Sequence, residues 1–115
     1  MYLFVLVLNK TELLEDILGK LVQIGISGAT IIDSTGMGRA LSDIEDDTLL
    51  VGIRSIFKYS RPSNKTIFSV IDSLDKKERA TAAIKEVVGD ISKPGVGIMF
   101  TLPLEDVIGF NNSLY

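Results

Sequence analysis

The sequence contains no cysteine and no histidine, and these two absences exclude much of catalytic chemistry. Without cysteine there are no disulfides, thiol nucleophiles or cysteine-based zinc sites, and without histidine there is no imidazole base and no triad built on one. The acidic run at residues 43–47 is interpreted as favourable charge at a helix N-terminus rather than as a magnesium site, so no metal site is predicted. No nucleophile has an adjacent base in the sequence. We therefore expect a protein that is not an enzyme.

An excess of positive charge and a long hydrophobic run are also missing. Twelve Lys and Arg residues against fifteen Asp and Glu residues give a net charge of −3, so the molecule as a whole does not attract nucleic acid or anionic lipid. No apolar run approaches the roughly 20 residues that span a membrane, and the N-terminal segment lacks the basic region and the cleavage site of a signal peptide. We expect a cytoplasmic protein without membrane insertion.

The remaining composition is that of one globular domain. The 115 residues suit a single compact unit, and 46% of them are hydrophobic against 23% charged. The mean hydropathy of +0.33 is high for a soluble chain. We therefore expect part of the apolar surface to be buried between subunits.

Hydrophobic periodicity predicts a strand–helix–strand unit in the first part of the chain. Residues 2–8 form an apolar run, too short for a typical helix, that predicts a strand buried on both faces. Asn9 is a candidate cap for a helix that ends near Gly25. A second strand is predicted over residues 29–33, and turn residues end it from Ser34 onward.

The second half of the chain repeats this order. Residues 66–71 predict a strand, and Asp72 or Ser73 is a candidate N-cap of the helix that follows. The last strand is predicted over residues 98–102, and Pro103 ends it. Two such units predict an α+β, ferredoxin-like βαββαβ fold, with a four-stranded antiparallel sheet and two helices on one face. The other face is also apolar, which predicts that oligomerisation buries it.

A long inserted segment of about 36–65 separates the two units. Its length is unusual for a connection without structure of its own. Apolar residues at helical spacing predict an extra helix near residues 47–58, and they are Leu49, Leu50, Ile53, Ile56 and Phe57. Arg54, Lys58 and Arg61 are candidate contacts of phosphate or of a partner, and a solvated helix face is the alternative.

Two glycine pairs are the most specific local motifs of the sequence that could form a binding site. Gly36 and Gly38 precede Arg39 just after the second predicted strand, and Gly95 and Gly97 flank one residue before the last strand. Glycines allow backbone N–H groups to turn toward an anion, and arginine adds a bidentate phosphate partner. A tight turn is the alternative interpretation of each pair. The spacing is not a dinucleotide fingerprint, because the third glycine and a directly following helix are both missing.

These motifs together resemble the nitrogen-regulatory P-II signalling proteins and their P-II-like relatives. The resemblance rests on residues 22–30, 36–39, 95–100 and 103–105, and it covers nearly the whole chain except the interior of the inserted segment. It implies a homotrimer of ferredoxin-like subunits that binds an adenine nucleotide (ATP, ADP or AMP) between subunits, with no tightly bound cofactor. It also implies that the long loop docks on a membrane transporter, a metabolic enzyme or another regulator.

The resemblance also assigns individual residues. Six positions match the family's nucleotide contacts, and these are Thr30, Gly36, Gly38, Arg39, Gly95 and Gly97. Four positions depart from the family pattern, and these are Ala40, Ile98, Gly109 and Asn111. Ala40 stands where P-II proteins have a glutamine that takes part in 2-oxoglutarate and magnesium binding. The other three stand where the family has a lysine and two arginines, so several charge-assisted phosphate bonds are lost.

Two functions follow from this comparison of residues. The first is a P-II-like regulatory protein that binds an adenine nucleotide and controls a partner through its long loop. The alternative is a trimeric scaffold that binds a protein partner and has lost the nucleotide site. A copper-tolerance-type trimer of the same fold is disfavoured, because only methionine and carboxylate side chains remain as metal ligands.

Overall fold

The computed structural model of the chain describes residues 1–42 and 63–111. In these ranges the strands are β1 (Tyr2–Leu8), β2 (Thr30–Ser34), β3 (Asn64–Ile71) and β4 (Gly97–Pro103). The α-helices are α1 (Leu14–Ile24), α2 (Met37–Ser42) and α3 (Leu74–Val88), and a 3-10 helix (Thr11–Leu13) leads into α1. The α+β class is confirmed, and the helix α2 lies between the second and third strands.

The four strands form one antiparallel sheet in the order β2-β3-β1-β4. β1 pairs on both sides, so that Val5 lies between Phe68 of β3 and Phe100 of β4. The unbroken apolar sequence of β1 places apolar side chains on both faces of the sheet, and one of these faces packs against the helices. The strand order and the antiparallel pairing confirm the predicted ferredoxin-like arrangement.

The core lies between one face of the sheet and the helices α1 and α3. Side chains alternate along a strand, and every second residue of β1 and β3 enters this core. Its members from the sheet are Phe4, Leu6, Leu8, Ile67 and Ile71, and each is at most 1% exposed. Its members from the helices are Ile17, Leu21, Ala80, Ile84 and Val88.

The opposite side of the sheet, which we call the open face, is apolar and accessible. Its apolar members are Leu3, Val5, Val7, Ile32, Phe68, Val70, Ile98, Phe100 and Leu102. Ile98 is 58% exposed, Leu102 is 47% exposed and Phe100 is 44% exposed. Burial of this face by oligomerisation stays a prediction.

The predicted N-cap is confirmed for one of the two long helices and is wrong for the other. α3 begins after Ser73, one of the two predicted caps, whose hydroxyl accepts a hydrogen bond from the Lys76 N–H at 3.2 Å. The prediction that Asn9 caps the first helix is wrong. Its backbone N–H donates to the Val96 carbonyl at 3.0 Å, and its carbonyl accepts from the Thr11 N–H. This turn is therefore bound to the residue before β4, and a 3-10 helix precedes α1 along the chain.

The region after β2 departs from its predicted form. The expectation that no helix directly follows the first glycine pair is wrong, because α2 begins at Met37. The Gly36 carbonyl accepts from the Ala40 N–H at 3.0 Å, which closes the first turn of this helix. The helix predicted near residues 47–58 lies outside the described residues. Among those that are described, no helix has the length and apolar character to cross a membrane.

Gly97 allows β4 to approach β1 closely. Its φ angle is 153°, and a Cβ atom at this position would overlap the Val7 carbonyl oxygen and lie 3.4 Å from the Leu8 Cα. An L-residue at this position is therefore strained in its backbone and obstructed by the neighbouring strand.

We expect Gly97→Ala to lower the free energy of unfolding by about 2 kcal/mol or more, through backbone strain and steric overlap. Gly19→Ala is the matched control. Gly19 lies inside α1 with nothing within 4 Å of an added Cβ, so this change should raise stability by about 0.5 kcal/mol. Chemical denaturation at one fixed protein concentration measures both. Equal stability of Gly97→Ala and the wild type would contradict the close approach of the two strands.

Candidate functional site

Both glycine pairs lie at the same end of the sheet, which we call the glycine end and define by residues 36–39 and 95–97. The first pair begins with Gly36, two residues after the last residue of β2, and the second pair ends with Gly97, the first residue of β4. β2 and β4 are the two edge strands, so β3 and β1 separate the bases of the two turns. One protomer therefore places the two turns across one end of the sheet.

A chain of polar side chains supports the first glycine turn. Ser34 Oγ donates to Asn64 Oδ1 and lies 2.7 Å from Thr66 Oγ1. Asn64 is only 7% exposed. A side chain at position 36 would place its Cβ 3.5 Å from Asn64 Nδ2. The end of β2 is therefore fixed to β3 by side chains in addition to the backbone ladder.

Arg39 is presented by the helix that starts at this turn. Gly36 closes the first turn of α2, and Arg39 lies within that turn with an exposed side chain. The φ angles of Gly36 and Gly38 are not positive, unlike those of Gly95 and Gly97. The first pair is thus part of a helix start. Of the two pairs, only the second has the positive φ angles that glycine adopts more readily than other residues.

The second glycine turn is bound to the connection between β1 and α1. The Val96 carbonyl accepts from the Asn9 N–H at 3.0 Å and from the Lys10 N–H at 3.4 Å, and the Val96 side chain is buried. Gly95 has a φ angle of 80°, which favours glycine there. This contact brings the backbone of a second cationic residue, Lys10, to the glycine end.

A fixed carboxylate lies in the turn before the second glycine pair. The Ser92 hydroxyl donates to Asp90 Oδ1 at 2.5 Å, and the Ser92 N–H donates to the same oxygen at 3.0 Å. These two hydrogen bonds hold the pKa of Asp90 below its ordinary value, and the charge of Lys93 lowers it further. The carboxylate is therefore ionised at neutral pH and holds the turn in one shape.

A cavity of about 510 Å³ lies at the other end of the sheet. β3 extends past the start of β2, since Thr30 pairs with Phe68 and residues 69–71 have no partner in β2. The cavity follows this unpaired edge. Its walls are the connection at residues 25–30, the end of β3 and the C-terminal segment at residues 107–111.

The cavity combines apolar walls with a few convergent polar groups. Ser69 Oγ donates to the Gly28 carbonyl at 2.6 Å, which fixes the wall before β2. Lys76 Nζ lies 3.2 Å from the buried Asp72 Oδ1, outside hydrogen-bonding geometry. Leu3, Phe68 and Phe110 contribute apolar surface. Apolar and aromatic walls with few polar groups are typical of sites for small planar ligands.

The six residues matched to nucleotide contacts do not meet in one protomer. Five of them lie at the glycine end, and Thr30 lines the cavity. Thr30 and Ser34 are the two ends of β2, about 13 Å apart at roughly 3.3 Å per residue. Arg54, Lys58 and Arg61 lie outside the described residues. Within the described ranges, no group of three or more acidic side chains is placed to hold a metal ion.

Several residues of the cavity and of the glycine end were not predicted from the sequence, and these are Asn64, Ser69, Asp72 and Lys76. One feature of the sequence could have pointed to two of these residues, Asn64 and Ser69. Asn64 and Ser69 are polar residues in an otherwise apolar strand, and they are the buried polar residues of the described ranges. A buried polar side chain needs a partner, so each marks a point where another segment must approach β3.

Comparison with known proteins identifies the family. The family model for nitrogen regulatory protein P-II matches residues 3–112, a range that includes both glycine pairs and the cavity walls. A comparison with curated proteins gave no match. The chain belongs to the nitrogen regulatory protein P-II family.

Proposed function

We propose that the chain is a cytoplasmic P-II-like signalling protein. It acts as a homotrimer, binds an adenine nucleotide between subunits, and controls a transporter or metabolic enzyme through the segment between β2 and β3. Proteins of the P-II family are regulatory and are not enzymes. One observation carries the proposal, namely that the residues matched to nucleotide contacts fall into two groups at opposite ends of the protomer.

Each group suits one part of a nucleotide. The glycine end offers Arg39 and a glycine turn, which suit phosphate oxygens. The cavity offers aromatic and aliphatic walls with the Gly28 and Ser69 polar groups, which suit a purine base. Since one protomer holds these groups apart, a complete site needs the glycine end of one subunit and the cavity of the next.

The open face supports the trimer. Four of its large apolar side chains are between 44% and 58% exposed in one protomer, and these are Ile32, Ile98, Phe100 and Leu102. A contiguous apolar patch of this kind is typical of a subunit interface. Cyclic packing of three such faces would bury the patch and bring different ends of neighbouring subunits together.

The distribution of charge supports the placement of the phosphates. Residues 104–111 of the cavity side include Glu105 and Asp106 and no Lys or Arg. The cation of the cavity, Lys76, lies 3.2 Å from the carboxylate of Asp72, whereas the glycine end carries the cation Arg39. An anionic phosphate is therefore favoured at the glycine end, and the neutral base in the cavity.

The same charges favour a second candidate function. Gly109 and Asn111 stand in the cavity wall where the family resemblance expects two phosphate-binding arginines. Their neutrality is what a trimeric scaffold without nucleotide binding would show. The two functions differ in one measurable property, which is the affinity for adenine nucleotides.

For the trimer, the expected molar mass in solution is three times that of the chain. Phe100→Glu should reduce the mass, because it places a charge on the open face. Val22→Glu is the matched control, since Val22 is 55% exposed on α1, away from that face, and this variant should keep the wild-type mass. Size-exclusion chromatography with light scattering at micromolar concentration measures all three. A monomeric wild type would contradict the proposal.

For the nucleotide site, Arg39→Ala should weaken ADP binding about ten- to a hundredfold, because it removes a charge-assisted hydrogen bond. Arg79→Ala is the matched control. Arg79 lies on α3, 3.8 Å from Asp75, and its loss should leave the affinity unchanged. Isothermal titration calorimetry measures both. Full affinity in Arg39→Ala would remove this residue from the site, and a wild type that binds none of ATP, ADP and AMP below millimolar would favour the scaffold.

A further inference from the structure

We propose that the charge around the two glycine turns makes the site prefer a nucleotide with a single phosphate group, so that AMP binds more tightly than ADP and ADP more tightly than ATP. This inference rests on the proposed function, since it requires an adenine nucleotide between the glycine end of one subunit and the cavity of the next. The polarity and the charge of the described residues around the turns support the preference.

Arg39 is the charged residue of the glycine end. Residues 36–39 and 95–97 contain no other Lys or Arg and no Asp or Glu. The guanidinium group presents its N–H donors as a planar fork, which matches two oxygens of one phosphate group. Arg39 is exposed in the first turn of α2. A single arginine in this position therefore suits a single phosphate group.

Apolar side chains occupy the positions next to the two glycine turns. Met37 stands between Gly36 and Gly38 and is 68% exposed. Ile98 follows Gly97 directly on β4 and is 58% exposed. Neither side chain donates a hydrogen bond, and a phosphate group that loses water without gaining new donors is destabilised. A second or a third phosphate group beside these turns would therefore be poorly accommodated.

The cation of the second turn is offset by a carboxylate. Lys93 lies two residues before Gly95, and Ser92 donates two hydrogen bonds to the carboxylate of Asp90. These hydrogen bonds and the charge of Lys93 lower the pKa of Asp90, so that the carboxylate is charged at neutral pH. Lys93 therefore adds little net attraction for a further phosphate group.

The segment at residues 104–111 adds negative charge to the proposed shared site. It contains Glu105 and Asp106, both exposed, and no Lys or Arg. Its residues 107–111 line the cavity, so in the proposed trimer the segment belongs to the subunit that supplies the cavity. The two carboxylates repel a ligand more strongly as the negative charge of that ligand increases.

The charges of these segments balance before a ligand binds. Across residues 9–10, 36–39, 89–97 and 104–111, three cations stand against three carboxylates. The cations are Lys10, Arg39 and Lys93, and the carboxylates are Asp90, Glu105 and Asp106. A phosphate monoester carries a charge of about −1.5 to −2 at neutral pH, and each further phosphate group adds negative charge. Since these segments hold no surplus of positive charge, each added phosphate group should lower the affinity.

Isothermal titration calorimetry of the full chain with AMP, ADP and ATP tests the preference. The titrations are made at one ionic strength, once with Mg²⁺ and once with EDTA. AMP should bind about tenfold or more tightly than ATP in both buffers, with ADP between them. An ATP affinity equal to or above that of AMP in either buffer would overturn the inference.

Two double variants with the same change in net charge test the electrostatic cause. Glu105→Gln with Asp106→Asn removes the two carboxylates and should raise ATP affinity about threefold to tenfold, with a smaller gain for AMP. Asp75→Asn with Glu78→Gln is the matched control, because both residues are exposed in α3. The control should leave both affinities within about twofold of the wild type. The same change in both double variants, or an unchanged ratio of ATP to AMP affinity in the first, would overturn the inference.

A gain of positive charge at the first glycine turn tests the same cause in the opposite direction. Met37→Lys adds a cation beside Arg39 and should raise ATP affinity about threefold or more relative to AMP affinity. Leu74→Lys is the matched control. Met37 and Leu74 are the first residues of α2 and α3, and both are exposed apolar residues. An equal gain for AMP and ATP in Met37→Lys would contradict the proposed preference, and this variant decides if the double variant at residues 105 and 106 does not fold.

Failure of the proposed function gives a different result. A wild type that binds none of AMP, ADP and ATP below millimolar concentration contradicts the nucleotide site itself, and the preference falls with it. A wild type that binds ATP at least as tightly as AMP removes only the preference and leaves the nucleotide site in place.

Discussion

β1 is apolar on both faces, and the two long helices cover only one of them. Phe4, Leu6 and Leu8 are buried beneath α1 and α3, whereas Ile98, Phe100 and Leu102 of the neighbouring strand are exposed on the open face. The helices therefore stabilise only one face of the sheet. Burial of the other apolar face would lower the free energy further, because it removes apolar surface from water. The proposed trimer would bury this face, and the proposed site shared between subunits depends on that trimer.

β3 links the sheet to both halves of the proposed site. Its two buried polar side chains bind the two flanks of β2. Asn64 is joined to Ser34 next to the first glycine turn, and Ser69 holds the Gly28 carbonyl in the cavity wall. The rigid strand between them fixes the distance between the glycine end and the cavity within one protomer. Because this distance cannot close, the proposed nucleotide site cannot be completed within one protomer.

Much of the fold could be predicted from the sequence, because strands and helices follow from local periodicity. Ser73 is a cap of the expected type, and the strand boundaries agree within two residues. Asn9 was misassigned because a backbone contact with Val96, distant in sequence, determines its conformation. The cavity was missed for the same reason, since its walls come from three separated segments. The glycine pairs were found by their residue types, but their placement across one end of the sheet depends on strand order, which no local pattern contains.

Subunit mixing tests the shared site most directly. Arg39→Ala damages the glycine end, and Thr30→Trp obstructs the cavity, so each variant alone should bind ADP weakly as a trimer. If each site combines the glycine end of one subunit with the cavity of the next, every mixed trimer has one interface at which both halves are intact. Calorimetry of co-refolded mixtures should then recover wild-type affinity at about one site per mixed trimer. A mixture that binds ADP no better than the separate variants would contradict a site shared between subunits.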